Sequence, residues 1–215
     1  MLPRFGRGPR LIHWLHAVPF LALLATGLVL FVPSIKALHV GGYRLLPLLH
    51  VLVGIAFIAS PIPAYFALPD RSRVHDDMRR LYRFNRSDRA WLSYAFGALL
   101  GARVHIPPTG KYNTGQKLNA IFSVIVTLGL MASGAVLAVN YFTKSVFSAR
   151  FVEQIFPLHD LFMLVSLPVV AVHIYLGSLN PSTKESLRGI VHGFVRRDWA
   201  KRHHSLWVEE IDRHK

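Results

Sequence analysis

The stretch F-P-L-H-D-L-F-M-L-V-S-L-P-V-V-A-V-H-I-Y-L-G-S-L, residues 156–179, decides the fold. An α-helix rises about 1.5 Å per residue, so an apolar stretch of this length can cross a hydrocarbon layer of roughly 30 Å. Three more stretches have the same character, at about 11–32, 45–68 and 118–142. The sequence therefore predicts an all-α, polytopic membrane protein, a four-transmembrane-helix bundle.

The composition of the 215 residues supports this class. Hydrophobic residues make up 52% of the chain and charged residues 17%, whereas a soluble domain is about one quarter charged. These values argue against a soluble enzyme, a disordered tail and a fibrous protein. Because the chain has no cysteine, a disulfide scaffold, a cysteine zinc site and an iron–sulfur cluster held by its own thiolates are excluded.

The net charge of +14 would also suit a nucleic-acid binder, but basic residues on an apolar chain mark the cytoplasmic side of a membrane protein. The N-terminal arm, the loop 69–117 and the basic tail 180–215 carry 21 of the 25 Lys and Arg residues. We therefore expect a multi-pass protein of the bacterial inner membrane with both termini cytoplasmic. We expect the lipid bilayer, and no nucleic acid, as a partner, and a single domain over residues 1–215.

Several local patterns refine this topology. Pro61, Pro63 and Pro168 lie inside spans, where they predict kinks. The apolar patch 91–101 is too short to cross and is typical of an interfacial segment. In the tail, S-T-K-E at 182–185 has the pattern of a capping box and predicts a short helix that runs to about residue 200.

Five of the 12 histidines lie in the spans: His13, His16, His50, His159 and His173. Ionisable residues at membrane depth are costly and indicate function. His159 and His173 are 14 residues apart, which puts them on one helix face about 21 Å apart along the axis. The span directions match His50 with His159 in depth near the outer surface, and His13 with His173 near the inner surface.

Two imidazoles from facing helices are suitable axial ligands for a haem iron. Zinc or copper sites usually gather three or four ligands at one depth, and a proton relay would need more acidic residues than Asp160, the one in these spans. The pairs therefore predict two b-type haems, one held by His50 and His159 and the other by His13 and His173. His16 is an alternative ligand to His13, or it packs without ligating.

Five sequence motifs are similar to motifs of a known protein family. They are L-I-H-W (11–14), L-L-H-V-L-V-G (48–54), G-K-Y-N-T-G-Q-K (110–117), V-H-I-Y (172–175) and W-A-K-R-H-H-S-L-W (199–207). With them the chain resembles, over nearly its whole length, the cytochrome b (gamma) subunit of membrane-bound respiratory formate dehydrogenase. The run at 110–117 and the tail motif carry most of the specificity.

The resemblance implies four helices, the same two pairs of haem ligands, and a quinone (menaquinone or ubiquinone) reduced at the inner side beside Asn113, Gly115 and Gln116. A glycine lets a backbone approach a flat ring, and an amide can donate to a quinone carbonyl. Without the resemblance, a polar turn that caps the third span explains these residues equally well. The implied partners are an iron–sulfur (beta) subunit and, through it, a molybdenum- or tungsten-containing catalytic (alpha) subunit that oxidises formate.

Two other functions remain open at this stage. Related di-haem subunits serve other respiratory complexes, such as a nickel–iron hydrogenase. A transporter or membrane scaffold would use the intramembrane histidines for protons or for packing. The resemblance gives no role to the arginine-rich loop 70–89, for which we expect a solvated face with anionic-lipid contact. Arg10 is a candidate partner for an inner-haem propionate, His105 is a candidate proton carrier, and K-R-H-H (201–204) is expected to be a docking or lipid-facing surface.

Overall fold

The structure is a computed structural model that describes residues 1–32, 45–68, 70–103, 105, 107–143 and 145–214. Most of the first loop, with Lys36, His39 and Arg44, lies outside the described residues, and so does Lys144 of the third loop.

Long apolar helices account for the four sequence stretches. Helix α1 covers Arg7–Phe31, α2 covers Leu45–Ala59, α3 covers Pro61–Ala67, α6 covers Thr114–Thr143, and α7 covers Ala149–Ile174 with a π-helical turn to Leu179. By length and composition, three of the described helices can cross a membrane, or four if the bent α2–α3 pair counts as one span. The chain is therefore an all-α multi-pass membrane protein.

The second stretch is divided by a bend of 42° between α2 and α3. Pro61 opens α3, and the N–H of Ser60 still bonds to the oxygen of Ala56 at 2.9 Å. A proline ring clashes with the carbonyl four residues before it and donates no hydrogen bond. The predicted kink in this span is therefore confirmed at Pro61.

Two short helices occupy the long loop, α4 (Arg71–Tyr82) and α5 (Arg86–Leu99). The apolar patch predicted to be interfacial lies mostly in α5, where Leu92 and Phe96 are exposed. The arginine-rich loop is thus mainly helical, with Val74 and Asp77 as the buried residues of α4.

The described chain forms two compact units. The first, unit A, contains residues 1–10, 69–122 and 172–215, and the second, unit B, contains residues 11–68 and 123–171. Unit B consists of α1 from residue 11 onward, α2, α3, and most of α6 and α7. Unit A holds α4, α5, the first turns of α6, the end of α7 and the C-terminal tail. Whether the chain acts as one domain stays a prediction.

In unit A the N-terminal arm pairs with the tail. Strand β1 (Leu2–Pro3) lies antiparallel to β2 (Phe194–Val195), with Leu2 opposite Val195. These two residues belong to a small buried core, whose other members are Trp199, Ala200, Trp207 and Val208. The two chain ends are therefore held together by apolar burial and a two-residue ladder.

The tail differs from its predicted single helix. It forms α8 (Glu185–His192), β2, α9 (Arg197–His203) and α10 (Ser205–Arg213). Gly193 ends α8 with a φ of 88°, a left-handed conformation that glycine adopts readily. The predicted capping box is also wrong, because Asn180 Oδ1 accepts the Ser182 hydroxyl at 2.8 Å and Glu185 accepts the N–H of Arg196.

Candidate haem and quinone sites

The proposed outer ligands lie next to each other in unit B. The ring centroids of His50 on α2 and His159 on α7 are 6.4 Å apart, and the ring planes stand at 85°. Sequence reasoning predicted this pair from depth alone. The structure places the two rings next to each other.

This spacing fits an iron between the rings. A metal–imidazole bond of about 2.0–2.1 Å separates the two ligand nitrogens by roughly 4 Å and the ring centroids by roughly 6–6.5 Å. Among the described residues, no group of three or more His, Asp or Glu side chains is placed to hold a metal ion. The 6.4 Å spacing of the His50 and His159 rings itself suits a bis-histidine haem.

Each imidazole is also bonded to a hydroxyl on another helix. Thr26 Oγ1 of α1 lies 2.7 Å from His50 Nδ1, and Ser133 Oγ of α6 lies 2.8 Å from His159 Nδ1. When Nδ1 is engaged in this way, Nε2 is the ring nitrogen available to a metal. Sequence reasoning missed both hydroxyls, because Ser and Thr are common in membrane helices.

The glycines next to these hydroxyls also touch the ligand rings. A Cβ on Gly27 would lie 3.4 Å from His50 Cε1, and a Cβ on Gly134 would lie 3.3 Å from His159 Cε1. Both distances are at or below ordinary carbon–carbon contact. The bare glycine backbone therefore leaves the space that each ring occupies.

The other intramembrane histidines have different surroundings. In unit B, His16 stacks on Phe20 with centroids 5.4 Å apart and lies 5.3 Å from the Phe57 ring. The ring of His13 stands edge-on to Trp14 at 5.1 Å. The contacts of His16 suit the packing alternative, and the choice between His13 and His16 as a ligand stays a prediction. In unit A, His173 Nδ1 lies 3.4 Å from the side-chain nitrogen of Asn119 on α6.

The predicted quinone residues begin α6, where two of them cap it. Asn113 Oδ1 accepts the N–H of Gln116 at 2.9 Å, and Gln116 Oε1 accepts the N–H of Asn113 at 3.0 Å. This reciprocal pair is a capping box. Gly115 lies against Trp91 of α5, because an added Cβ would be 2.7 Å from the ring. All three residues thus have a structural role in unit A.

Buried charges fix the same turn of α6. Lys117 Nζ bonds to Asp88 Oδ2 at 2.8 Å, and both side chains are 6% exposed. Thr114 donates its hydroxyl to Asp88 Oδ1 at 2.9 Å. Burial alone would raise the pKa of Asp88, but hydrogen bonds from Lys117, Asn85 and Thr114 lower it overall. Asp88 therefore stays ionised and holds the first turn of α6 to α5.

A second buried ion pair forms between Lys111 and Asp77. It joins the G-K-Y-N-T-G-Q-K motif (110–117) to α4. Burial lowers the pKa of Lys111, which the nearby Asp77 partly offsets. Burial also raises the pKa of Tyr112 well above its usual value, helped by the same carboxylate. Sequence reasoning missed Asp77 and Asp88, which are two of the four acidic residues in the strongly basic loop 69–117.

In the tail motif W-A-K-R-H-H-S-L-W (199–207), His204 is buried rather than exposed at the surface. His204 is 1% exposed, and its Nδ1 lies 2.8 Å from the oxygen of Gly110. Burial, with nearby Arg4, lowers the pKa of His204 well below its usual value, so the ring is neutral. The expected surface role of K-R-H-H is therefore wrong for His204, which ties the tail to the turn before α6.

Arg4 fills the space between the tail aromatics. Its guanidinium carbon lies 5.2 Å from the Trp199 ring centroid, and its Nη2 donates to the oxygen of Lys111 at 3.0 Å. Burial lowers the pKa of Arg4 to about 10. Arg10, considered above as a propionate partner, donates to the oxygen of Val191 on α8. His105 is exposed.

Comparison with known proteins gives the family. The prokaryotic cytochrome b561 family matches residues 4–193. The chain belongs to this family. It is 28% identical to the formate dehydrogenase cytochrome b556(fdo) subunit of Escherichia coli (strain K12) over 210 residues, which cover 97% of this chain and 92% of the relative.

Two further relatives carry similar names. The chain is 26% identical to the nitrate-inducible formate dehydrogenase cytochrome b556(Fdn) subunit of Escherichia coli (strain K12), over 95% of this chain and 88% of that protein. It is 28% identical to the formate dehydrogenase cytochrome b556 subunit of Haemophilus influenzae, over 94% of this chain and 79% of that protein. The predicted resemblance is therefore confirmed, and membership of a cytochrome b family makes the protein a haem b carrier in electron transport.

Proposed function

We propose that this chain is the membrane cytochrome b subunit of a formate dehydrogenase complex. It passes electrons from an iron–sulfur subunit on the outer side, through two b-type haems, to a quinone on the cytoplasmic side. The observation that carries the proposal is the 6.4 Å spacing of the His50 and His159 rings on separate helices. The names of the relatives supply the complex and its class of substrate.

The haem between His50 and His159 would supply reversible one-electron transfer near the outer surface. The protein's part is to hold both imidazoles at a fixed spacing and to keep Nε2 of each ring available. We assign a second haem to His13 and His173, because His173 is one 14-residue step along α7 from His159. That step is about 21 Å along the helix axis.

The proposed topology has both termini in the cytoplasm. The pairing of Leu2 with Val195 supports it, because the N-terminal arm and the tail meet within one unit. Chain ends on one side of a membrane require an even number of crossings, which favours counting α2 and α3 together as one bent span. The excess of Lys and Arg in the segments of unit A indicates the cytoplasmic side.

We place the quinone beside Asn113, Gly115 and Gln116. The capping box uses the oxygen of each amide, so recognition of a quinone carbonyl would fall to the NH₂ groups. Asn113→Asp separates the two roles, because a carboxylate still caps the helix but donates no hydrogen bond. We expect a raised KM for quinone with unchanged thermal stability. A KM equal to that of the wild type would exclude Asn113 from quinone binding.

The first experiment is a reduced-minus-oxidised visible spectrum of the purified holoprotein, with the haem extracted and counted. We expect two b-type haems per chain, and one in His50→Ala. His192→Ala, which changes an exposed tail histidine, is the matched control and should keep both. A well-folded chain without haem, prepared with adequate haem supply, would refute the electron-transfer function.

The partner is tested separately by purifying the complex from native membranes. Formate-dependent haem reduction by the purified complex would support the assignment to formate dehydrogenase. Hydrogen-dependent reduction, with no response to formate, would refute it and identify a hydrogenase partner instead.

A further inference from the structure

The contacts of His50 and His159 repeat in two helix pairs. In α1 and α2, Thr26 and Gly27 meet His50, and in α6 and α7, Ser133 and Gly134 meet His159. In both cases an alanine precedes the hydroxyl residue, giving A-T-G at 25–27 and A-S-G at 132–134. Each triplet lies on the first helix of its pair, and each ligand candidate lies on the second.

The hydroxyls have only one proton each, and its position can be assigned. Thr26 Oγ1 lies 2.9 Å from the oxygen of Ala22, and Ser133 Oγ lies 2.6 Å from the oxygen of Gly129. A carbonyl oxygen accepts only, so two oxygens this close need the hydroxyl proton between them. The hydroxyl therefore donates to the carbonyl four residues earlier, as Ser and Thr commonly do within helices.

This assignment decides the state of the imidazoles. A hydroxyl that has used its proton can only accept from the ring, so Nδ1 of His50 and of His159 carries the hydrogen. The lone pair is then on Nε2, where a metal ligand needs it. The glycine beside each hydroxyl leaves room for the ring in this orientation, because an added Cβ would lie 3.4 Å (Gly27) or 3.3 Å (Gly134) from Cε1.

We propose that Thr26–Gly27 and Ser133–Gly134 are matched positioning clamps that set the tautomer and orientation of His50 and His159 and thereby tune the potential of the haem between them. This rests on the proposed function, since it requires the haem. Hydrogen bonds from Nδ1–H to an acceptor raise the basicity of the ligand nitrogen. A more basic ligand favours the ferric over the ferrous state, so each clamp lowers the midpoint potential.

The test is a redox titration of the holoprotein followed in the visible spectrum. Thr26→Val and Ser133→Ala each remove the hydroxyl that accepts the Nδ1–H of the imidazole, while the side chain keeps a similar size. Each variant should shift the midpoint potential of this haem to a more positive value. A tenfold change in the ferric-to-ferrous preference corresponds to about 59 mV for a one-electron couple. Thr26→Ser, which restores the hydroxyl, should return the wild-type potential.

Thr143→Val is the matched control. The Thr143 hydroxyl makes the same bond to a carbonyl four residues earlier, that of Val139 at 2.8 Å, on the same helix as Ser133. It should leave the potential unchanged. If Thr26→Val loses haem while Thr26→Ser keeps it, the hydroxyl is needed to hold the ligand and the proposal stands.

The outcomes that overturn the clamps differ from those that overturn the proposed function. Unchanged or more negative potentials in both Thr26→Val and Ser133→Ala, with haem retained, would refute the clamps alone. Loss of haem from Thr26→Ser as well as from Thr26→Val would also refute them, because a hydroxyl at position 26 would then not be enough to keep the haem. A wild-type chain without haem, or full haem content in His50→Ala, would instead refute the haem assignment.

Discussion

Gly115→Ala distinguishes packing from ligand access at the start of α6. The new Cβ would lie 2.7 Å from Cη2 and 3.3 Å from Cζ2 of Trp91. Carbon atoms in contact are normally about 3.5–4.0 Å apart, so the overlap with the ring edge is close to 1 Å. An indole ring is rigid and cannot bend away as a flexible side chain would, so the backbone or the whole ring must move.

The cost follows from the geometry. An extra methyl group in a packed contact costs about 1–3 kcal/mol, and the higher helix propensity of alanine offsets up to about 1 kcal/mol of it. The overlap with a rigid ring puts the cost at the upper end of that range, about 2–3 kcal/mol, which leaves a net loss of about 1–2 kcal/mol. For a chain of this size each kcal/mol shifts Tm by about 2–4 °C, so we expect a Tm lowered by about 2–8 °C.

The assay is thermal denaturation of the detergent-solubilised holoprotein, followed by circular dichroism. Trp91→Leu in the Gly115→Ala background should recover most of the loss, because the clash involves the ring edge. Gly110→Ala is the control, since a Cβ there would meet nothing within 4 Å. A wild-type Tm in Gly115→Ala together with impaired quinone reduction would refute the packing argument and show that the bare backbone serves the ligand.

Three further predictions use the same denaturation assay. Asp88→Ala leaves the buried ammonium of Lys117 without its carboxylate and should lower the stability of the fold by about 3–5 kcal/mol. Adding Lys117→Met to this variant should recover part of that loss. Equal Tm values for the single and double variants would contradict the pairing. The neutral ring of His204 has a pKa far below that of the unfolded chain, so its contribution to stability is complete above about pH 6.5 and is lost as the pH falls below that value. His204→Gln should therefore flatten the fall in Tm between pH 7.5 and 5.5, and an unchanged slope would argue against this assignment. Gly193→Ala should lower Tm more than Gly101→Ala. Both positions have positive φ, 88° and 80°, but a Cβ at Gly193 would also lie 2.8 Å from a backbone oxygen, whereas one at Gly101 would meet nothing within 4 Å. Equal losses of Tm would mean that the backbone conformation alone causes the effect and that the close contact at Gly193 adds nothing.

The membrane helices could be predicted from the sequence because one physical requirement, the length of an apolar stretch, determines them. The bend before Pro61 was also predictable from a local property of the chain, because a proline within a helix has no N–H to donate and clashes with the carbonyl four residues before it. The tail was not predictable. S-T-K-E at 182–185 matches a capping pattern, but the structure uses Glu185 to bind the N–H of Arg196, a contact that depends on the chain reversing at Gly193.

The candidate site divides in a similar way. The pairing of His50 with His159 could be inferred from span direction and depth, because both follow from residue number along a straight helix. Their partners Thr26 and Ser133 could not, because a hydroxyl in an apolar helix usually bonds only to its own backbone, and the contact with the imidazole depends on helix rotation. The sequence left two interpretations of Asn113 open, a helix cap and a quinone ligand, and its hydrogen bonds with Gln116 show that it caps α6.

The two units stabilise their polar groups by different chemistry, which follows from the cost of burying charge. In unit B the ligand candidates are held by hydroxyls and bare glycine backbone, groups that do not ionise in the physiological range. In unit A the start of α6 is held by ionised pairs, Lys117 with Asp88 and Lys111 with Asp77. A buried charge is affordable only with a partner, and unit A also carries the exposed charges of the loop and tail. Under the proposed function, protons taken up at the quinone would therefore meet ionised pairs in unit A, whereas the candidate haem ligands of unit B are held by groups that do not ionise.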